Sequence, residues 1–481
     1  MAFPIPKPGG LMGADKRALW RKAPGAPRDV QNNHAVFQSR TYRRMKFNPF
    51  FVNHNLSLEA GDRVGVREIY DDINTNSGNC YISYAVSKLL SLKDCPDGIV
   101  NVFKANPDEI DFDAINRNHS HAFFMFQDHL GGQWNAVDWT RLRAIVERIE
   151  IPCVVFSLGV SGISRDPAVI VAGMSPDAIA FFQTLAAKSI SIGVRGHITA
   201  GVLDRLGIRN YAVVGCPTFF ESGPQRVVEH RPLTRDSKVA GLGLFSSDFL
   251  TNIHYVLQSE LGIIRALMDD SKLSAADLSG FNHETWPNFQ ASFLNALDHD
   301  RVHFFLDVER WRDFFDDVAL AIGVRMHGAI VALNKGCPAI VAAGDVRAYE
   351  MCTLFGIPHY TNTSLHDKTP EQLVAMANPD AMNQAYPALY AKFDAWLFDT
   401  CGLPRRTTAI QAPPFKYTNM RFFPGHIAAD RVRVVGQQSR RGTFARLGQR
   451  LEQVDVKVWA VRRFAARCKA SLKYRLGIGA A

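Results

Sequence analysis

A chain of 481 residues is too long for one ordinary core, and at about 150 residues per domain it points to two or three folding units. Hydrophobic residues make up 47% and charged residues 21%, the balance of a soluble globular protein, which excludes a disordered chain. The net charge of +9 is concentrated at the end of the chain: residues 431–481 hold 13 Lys and Arg against Glu452 and Asp455, so a nucleic-acid enzyme with basic folded domains is not indicated.

The opening MAFPIPKPGGLMGADKR places prolines and glycines where a signal peptide needs an unbroken apolar stretch, so a cytoplasmic location is expected. Residues 1–55 show little periodicity and are expected as an irregular arm. From about residue 62 short apolar runs alternate with amphipathic stretches. RVGVREIY reads as a strand, NCYISYAVSKLLSL as a helix, IVNVFK and HAFFMF as strands, and VDWTRLRAIVERIE as a helix. CVVFSL, SIGV and YAVV then read as strands separated by the helices SPDAIAFFQTLAAKS and TAGVLDRLG. Strands alternating with helices of this length make parallel βαβ units, so residues 56–222 are expected as a Rossmann-like domain.

Pro, Gly and charges interrupt the rhythm, and 223–237 is expected as a linker. A second alternating set follows over 238–398: KVAGLGLF as a strand, NIHYVLQSELGIIRALM as a helix, VHFFL as a strand and ERWRDFFDDV as a helix. The strands LAIGV and PAIVAA come next, each followed by a helix, GAIVALNKG and VRAYEMCTLFG. Two such domains in tandem imply an α/β fold in a GT-B-like arrangement with an interdomain cleft, whose ligands sit at the carboxyl ends of strands. Residues 399–481 are expected as a loop and a basic helical tail, in which Leu447, Leu451, Val454, Val458, Val461 and Ala465 recur at spacings of three and four. That helix either docks on the body or lies on an anionic membrane surface.

Three segments carry chemistry. In AIGVRMHGAIVALNKGCPAIV (321–341) a strand runs into Arg325, His327 and Gly328, and strand alternation would set Arg325 and His327 on one side. The helix N-terminus that follows suits a phosphate or carboxylate, and Gly328 would let a ligand approach the backbone. Locally the pattern fits a helix-capping His beside a surface Arg equally well. SIGVRGHITAGVLDRLGI (191–208) repeats the plan with Arg195, and GCPTFF places Thr218 near the domain junction, where a hinge role competes with ligand binding. NTNSGNCYI (74–82) offers Asn76, Gly78 and Asn79 as donors to a phosphate or sugar, or as a plain helix cap. Asp345, Arg347 and Glu350 follow a strand end and remain secondary candidates. The eight scattered cysteines and His119, His121 and His129 show no zinc spacing, so no metal is expected.

Taken in order, NSGN before a helix, GVRGHITAGVLDRLGI with VVGCPTFF, and GVRMHGAIVALNKGCPAIVAAGDVRAYEMCTLFGIP resemble the polysaccharide pyruvyl transferase family over roughly residues 65–360. The resemblance implies a GT-B-like fold, phosphoenolpyruvate as donor substrate without a cofactor, and transfer of pyruvate to a pair of sugar hydroxyls as a ketal. It places Arg195 and Arg325 where donor-binding arginines are expected and His327 where the family has its catalytic or donor-contacting histidine. Asn79 stands where an aspartate is common. With an ordinary pKa of ~6.5, His327 would serve as general acid. Two other classes compete with this reading: a GT-B glycosyltransferase using a nucleotide sugar, with Glu350 or Arg325 on the donor, and a non-catalytic carbohydrate-binding relative. The implied partners are phosphoenolpyruvate and a saccharide acceptor, lipid-linked or polymeric, with no nucleic acid; residues 431–481 would bring the enzyme to the inner membrane face.

Overall fold

The computed structural model describes residues 46–53, 76–92, 97–99, 101–260, 263–264, 272–273, 288–305, 307–361, 365–405, 426–428 and 433–434. The N-terminal sheet contains β1 (Pro49–Val52), β2 (Gly98–Ile99), β3 (His121–Met125), β4 (Cys153–Leu158), β5 (Ser189–Val194) and β6 (Tyr211–Val213), all parallel, in the order β2-β1-β3-β4-β5-β6. The C-terminal sheet contains β7 (Val239–Leu242), β8 (Ile253–Leu257), β10 (Val302–Phe305), β11 (Leu320–Gly323), β12 (Ala339–Ala342), β13 (His359–Tyr360) and β14 (His426–Ala428). A separate short pair joins β9 (Lys272–Leu273) to β15 (Arg433–Val434). The order β13-β12-β11-β7-β8-β10-β14 is parallel except for the antiparallel edge strand β14. These are two Rossmann-like domains; the second has the doubly wound order, with β7 as first strand and the direction reversing between β7 and β11.

The helices used below are α1 (Ser77–Leu89), α2 (Trp139–Arg148), α3 (Pro176–Lys188), α4 (His197–Arg205), α5 (Val308–Asp313), α6 (Met326–Asn334), α7 (Val346–Phe355) and α8 (Asp380–Ala395). Their starts are written locally: Asp138 accepts from Arg141 N, Ser175 from Ala178 N and Asp345 from Ala348 N, so each short polar side chain satisfies an otherwise unpaired amide. Buried strands such as CVVFSL are apolar almost throughout because helices cover both faces of a parallel sheet.

Several expectations change, and others are not reached. Pro49–Val52 lies within the segment expected as an irregular arm, yet it forms β1, paired to both β2 and β3 with all four residues buried; its apolar run PFFV is too short for periodicity to reveal. RVGVREIY, expected as the first strand, lies outside the described residues. A further change is in NIHYVLQSELGIIRALM, where Ile253–Leu257 is strand β8 between β7 and β10, not helix. Ile, Tyr, Val and Leu in succession bury on both faces of a sheet, and periodicity cannot separate such a run from a buried helix. IVNVFK shortens to β2, with Asn101 Oδ1 accepting from Phe103 N in a turn. The basic C-terminal helix lies outside the described residues.

The chain recrosses after the second sheet. At the end of α8, Trp396 donates from Nε1 to Ser191 Oγ on β5 at 2.9 Å and packs edge-on against Phe156 of β4. The segment expected to close the C-terminal domain thus ends on the N-terminal sheet, which completes the GT-B-like arrangement. One continuous core runs from Phe51 and Phe123 through Phe219 and Leu242 to Phe355 and Trp396. At its centre Phe219 stacks on Phe355 with centroids 3.8 Å apart.

Beside that core lies a buried polar knot. The Glu221 carboxylate is fully buried and accepts from Lys88 Nζ of α1 at 2.7 Å and Tyr81 OH at 3.0 Å, and it pairs with Arg312 of α5. Asn334 of α6 donates to Tyr81 OH at 2.7 Å and to Thr218 O at 2.6 Å. Removing a fully buried carboxylate that pairs a partly buried cation from each domain leaves Lys88 without this partner and Arg312 with only Glu309. Glu221→Ala should therefore lower unfolding free energy by roughly 3–5 kcal/mol, with Glu221→Gln milder, as read by denaturant titration.

Candidate functional site

In doubly wound sheets a ligand site forms where strand order reverses, at the carboxyl ends of the strands. In the N-terminal sheet the reversal falls between β1 and β3, and the chain leaving β3 carries Asp128 and His129. In the C-terminal sheet it falls between β7 and β11, and the chain leaving β11 carries Arg325 and His327. Arg347 of the C-terminal domain stands 3.5 Å from Asp128 of the N-terminal one, and the charges of Arg195, Arg347 and Asp128 all act on His327, which brings the strand exits of the two domains into one site.

Arg195 follows β5 and is held by its own backbone N–H, which donates to Leu158 O at 2.9 Å. Its side chain is 1% exposed, and Nε donates to Ser157 Oγ at 3.0 Å, while Nη2 has no protein acceptor. Ser157 itself sits at φ 62°, a left-handed conformation that costs a non-glycine residue energy and that concentrates at functional sites. Burial draws the Arg195 pKa down, and the like charge of Arg347 adds to this against Cys216, Asp128 and Glu350. An unpaired guanidinium N–H in such a place is an invitation to an anionic ligand.

Gly323, at φ 151°, ends β11 two residues before Arg325, and Arg325 becomes the extended N-cap of α6. His327 therefore belongs to the first helical turn, not to a strand tip, and the two side chains diverge instead of sharing a side. Arg325 gives Nε, at 3.0 Å, and Nη2 to Glu260 Oε1. Glu260 also accepts from the N–H groups of Gln258 and Ser259 at 2.8 and 2.9 Å. Burial would raise the Glu260 pKa, but Arg325 and these amides outweigh it and keep the carboxylate ionised.

The His327 ring instead turns inward. Its Nε2 stands 3.8 Å from Cys216 Sγ, which accepts from Thr218 Oγ1 at 3.0 Å. Its Nδ1 faces Gly78, where a Cβ would come within 2.8 Å. Burial, then the charges of Arg195 and Arg347, hold the His327 pKa well below its ordinary value. The ligand-free imidazole is neutral near neutral pH, in contrast to the freely titrating general acid expected from the sequence. The charge of a bound anion is what would return it toward protonation.

The other expected residues fall as follows. Asn76 Oδ1 accepts from Gly78 N at 2.8 Å and so caps α1. Gly78 admits His327, and buried Asn79 lies one residue further into α1. Thr218 is buried with its hydroxyl directed to Cys216, and the space that Gly328 leaves is taken by Leu242 and Gln258. Glu350 of α7 reaches across the domains to accept from Thr199 N at 3.1 Å and Oγ1 at 2.6 Å, and burial pushes its pKa up. Arg347 donates from Nη2 to Asp345 Oδ2 at 2.9 Å and approaches Asp128 Oδ1 at 3.5 Å.

Sequence reasoning did not single out Asp128, Ser157 or Cys216. Asp128 was legible only as a residue just past a strand, Ser157 carries no motif, and Cys216 lies in GCPTFF, where Thr218 was the candidate. His129 is buried, its Nδ1 accepting from Gln127 N at 3.1 Å. Among the described residues no cluster of His, Cys, Asp or Glu suited to a metal occurs, and no helix is long and apolar enough to cross a membrane.

The polysaccharide pyruvyl transferase family model matches residues 76–345, more than half of the chain. The chain belongs to that family. In this family member the match runs from Asn76, which caps α1, to Asp345, which caps α7, and so takes in the strand exits after β3 and β11 that carry Asp128 and His327. Among curated proteins none matches. Solved structures are similar only remotely. The UDP-GlcNAc 2-epimerase of Methanocaldococcus jannaschii is 11% identical over 74% of this chain and 99% of its own, with a TM-score of 0.35. That of Neisseria meningitidis is 10% identical over 74% and 99%, with a TM-score of 0.34. HepE of Anabaena, in complex with UDP and glucose, is 9% identical over 74% and 95%, with a TM-score of 0.33.

Two measurements follow from this geometry. Gly78→Ala sets a methyl against His327 Nδ1 and Cβ and Gln258 Oε1, so turnover should fall about 100-fold and unfolding free energy by roughly 1–3 kcal/mol. Burial holds His121 and His129 to about 4, far below the 6.5 they recover on unfolding. Between those values the unfolded chain binds more protons, so stability is present above pH 6.5 and lost as pH falls toward 4. Denaturant titrations at pH 7 and pH 5 should show the decline, and His121→Gln should flatten it.

Proposed function

We propose that this chain transfers pyruvate from phosphoenolpyruvate to two hydroxyls of a sugar, in a polysaccharide or a lipid-linked oligosaccharide precursor, forming a cyclic ketal. The observation that carries the reading is Arg195, a fully buried guanidinium whose Nη2 lacks a protein acceptor, beside an imidazole that burial, with Arg195 and Arg347, keeps neutral. Phosphoenolpyruvate presents a phosphate and a carboxylate, and a guanidinium fork pairs well with either.

In this reading Arg195 holds one anionic group. Arg325, fixed through Nε and Nη2 by Glu260, presents its remaining edge to the other. The arriving negative charge offsets Arg195 and Arg347, whose charges add to burial in lowering the His327 pKa, so the histidine becomes a proton donor when the donor substrate is bound. Protonation of the donor's methylene carbon makes its C2 electrophilic; one sugar hydroxyl adds there, phosphate leaves and the second hydroxyl closes the ketal. The arginines also stabilise the departing phosphate. Glu350, the residue a nucleotide-sugar enzyme would turn toward its donor, here has both oxygens on Thr199.

Calorimetry on the full chain tests this. Phosphoenolpyruvate should bind with proton uptake near pH 6, seen as a dependence on buffer ionisation enthalpy. His327→Gln should bind without that uptake, and Arg195→Ala should weaken binding by about 2–3 kcal/mol or more. Binding of UDP or GDP in place of phosphoenolpyruvate would overturn the assignment.

A further inference from the structure

The ketal reaction needs a group that accepts protons from the sugar hydroxyls, and the carboxylates around the site differ in how far they are already committed. Glu350 has both oxygens on Thr199. Asp345 accepts from Ala348 N at 2.7 Å and from Arg347 Nη2 at 2.9 Å. Glu260 is taken by Arg325 and two backbone amides, and Glu221 is sealed in its knot with no exposure. Asp128 is different. Its side chain is 21% exposed, and its nearest charged partner, Arg347 Nη1, stands at 3.5 Å, which leaves lone pairs for another donor.

Position supports the same residue. Asp128 lies just past β3, at the strand-order reversal of the N-terminal sheet, and is coupled electrostatically to Arg195 and His327. Its backbone carbonyl accepts from Trp134 Nε1 at 2.5 Å, and partly exposed Trp134 and Phe103 flank His129 there, apolar ring faces of the kind that line ligand pockets. Burial alone would raise the Asp128 carboxyl, but Arg347, Arg195 and His129 outweigh it and keep it ionised.

We propose that Asp128 is the catalytic base on the acceptor side, receiving the proton of the sugar hydroxyl that attacks the donor, with Arg347 fixing its position. This rests on the reading of function above. As His327 gives a proton to the methylene carbon, the hydroxyl oxygen bonds to C2 and its proton passes to an Asp128 oxygen. The C2–O bond to phosphate then breaks, the second hydroxyl bonds to C2, and its proton leaves with the phosphate. The proton held by Asp128 returns to His327 through solvent, so both groups end as they began.

The test uses the full chain as wild type, Asp128→Asn, Asp128→Ala and Arg195→Ala. Binding of phosphoenolpyruvate alone is read by calorimetry. Phosphate release is read with water and with a panel of p-nitrophenyl hexopyranosides as acceptors. Both Asp128 variants should bind phosphoenolpyruvate about as well as wild type, with release about 100- to 10,000-fold slower. Sodium formate, a small diffusible carboxylate, should restore Asp128→Ala by about tenfold or more and leave Asp128→Asn, whose amide fills the space, unchanged. Wild-type rates in Asp128→Asn, joint loss of donor binding and turnover as in Arg195→Ala, no gain with formate, or no release by a wild type that binds the donor would each overturn the proposal. A wild type that binds no phosphoenolpyruvate overturns the reading of function beneath it, an outcome visible before any variant is compared.

Discussion

A guanidinium cannot shed its charge by losing a proton at any ordinary pH, so burying Arg195 commits the fold to surrounding it with compensation. The compensation is incomplete. Ser157 accepts from Nε at the expense of a left-handed backbone, and ionised Asp128 supplies favourable charge at a distance, while Nη2 keeps no protein acceptor. Much of the site can be understood from that shortfall. Burial holds His327 neutral and the Arg195 charge adds to this, Asp128 is held ionised beside that guanidinium, and an anion is what would complete the compensation.

The charge stays buried because the two domains are joined by more than a linker. Glu221 gathers Lys88 from one domain and Arg312 from the other, and Thr199 with Glu350 makes a second crossing near Arg195 itself. Phe219 on Phe355 and Trp396 against Phe156 carry the apolar core across the same boundary. Binding energy from an anion therefore acts on groups that belong to both halves, a physical basis for coupling donor binding to the geometry of the cleft.

Close packing around His327 has a similar logic. The ring is fixed between Gly78 on one side and Cys216 on the other, and Thr218 and Asn76 orient those neighbours without needing to meet a ligand. Residues that looked like ligand donors in the sequence thus gain a second account as the frame that aims the histidine. Arg325 likewise is aimed by Glu260, a residue no motif marked.

The sequence by itself determined the alternation of strands and helices, both Arg-Gly or Arg-x-His strand exits, and the family, because apolar periodicity and short motifs are local properties of the chain. It could not show that PFFV at 49–52 is a central strand or that IHYVL at 253–257 is not helical, since short apolar runs acquire their identity from the neighbours that bury them. Nor could it show which way Arg325 and His327 point: a single glycine, Gly323, ends the strand early and lets a helix separate them. Asp128 comes within electrostatic reach of His327, some 200 residues away in the chain, only because the strand exits of the two sheets come together. Charge compensation across such distances is decided by tertiary structure alone, because it depends on burial and on the summed field of groups that the chain order does not place side by side.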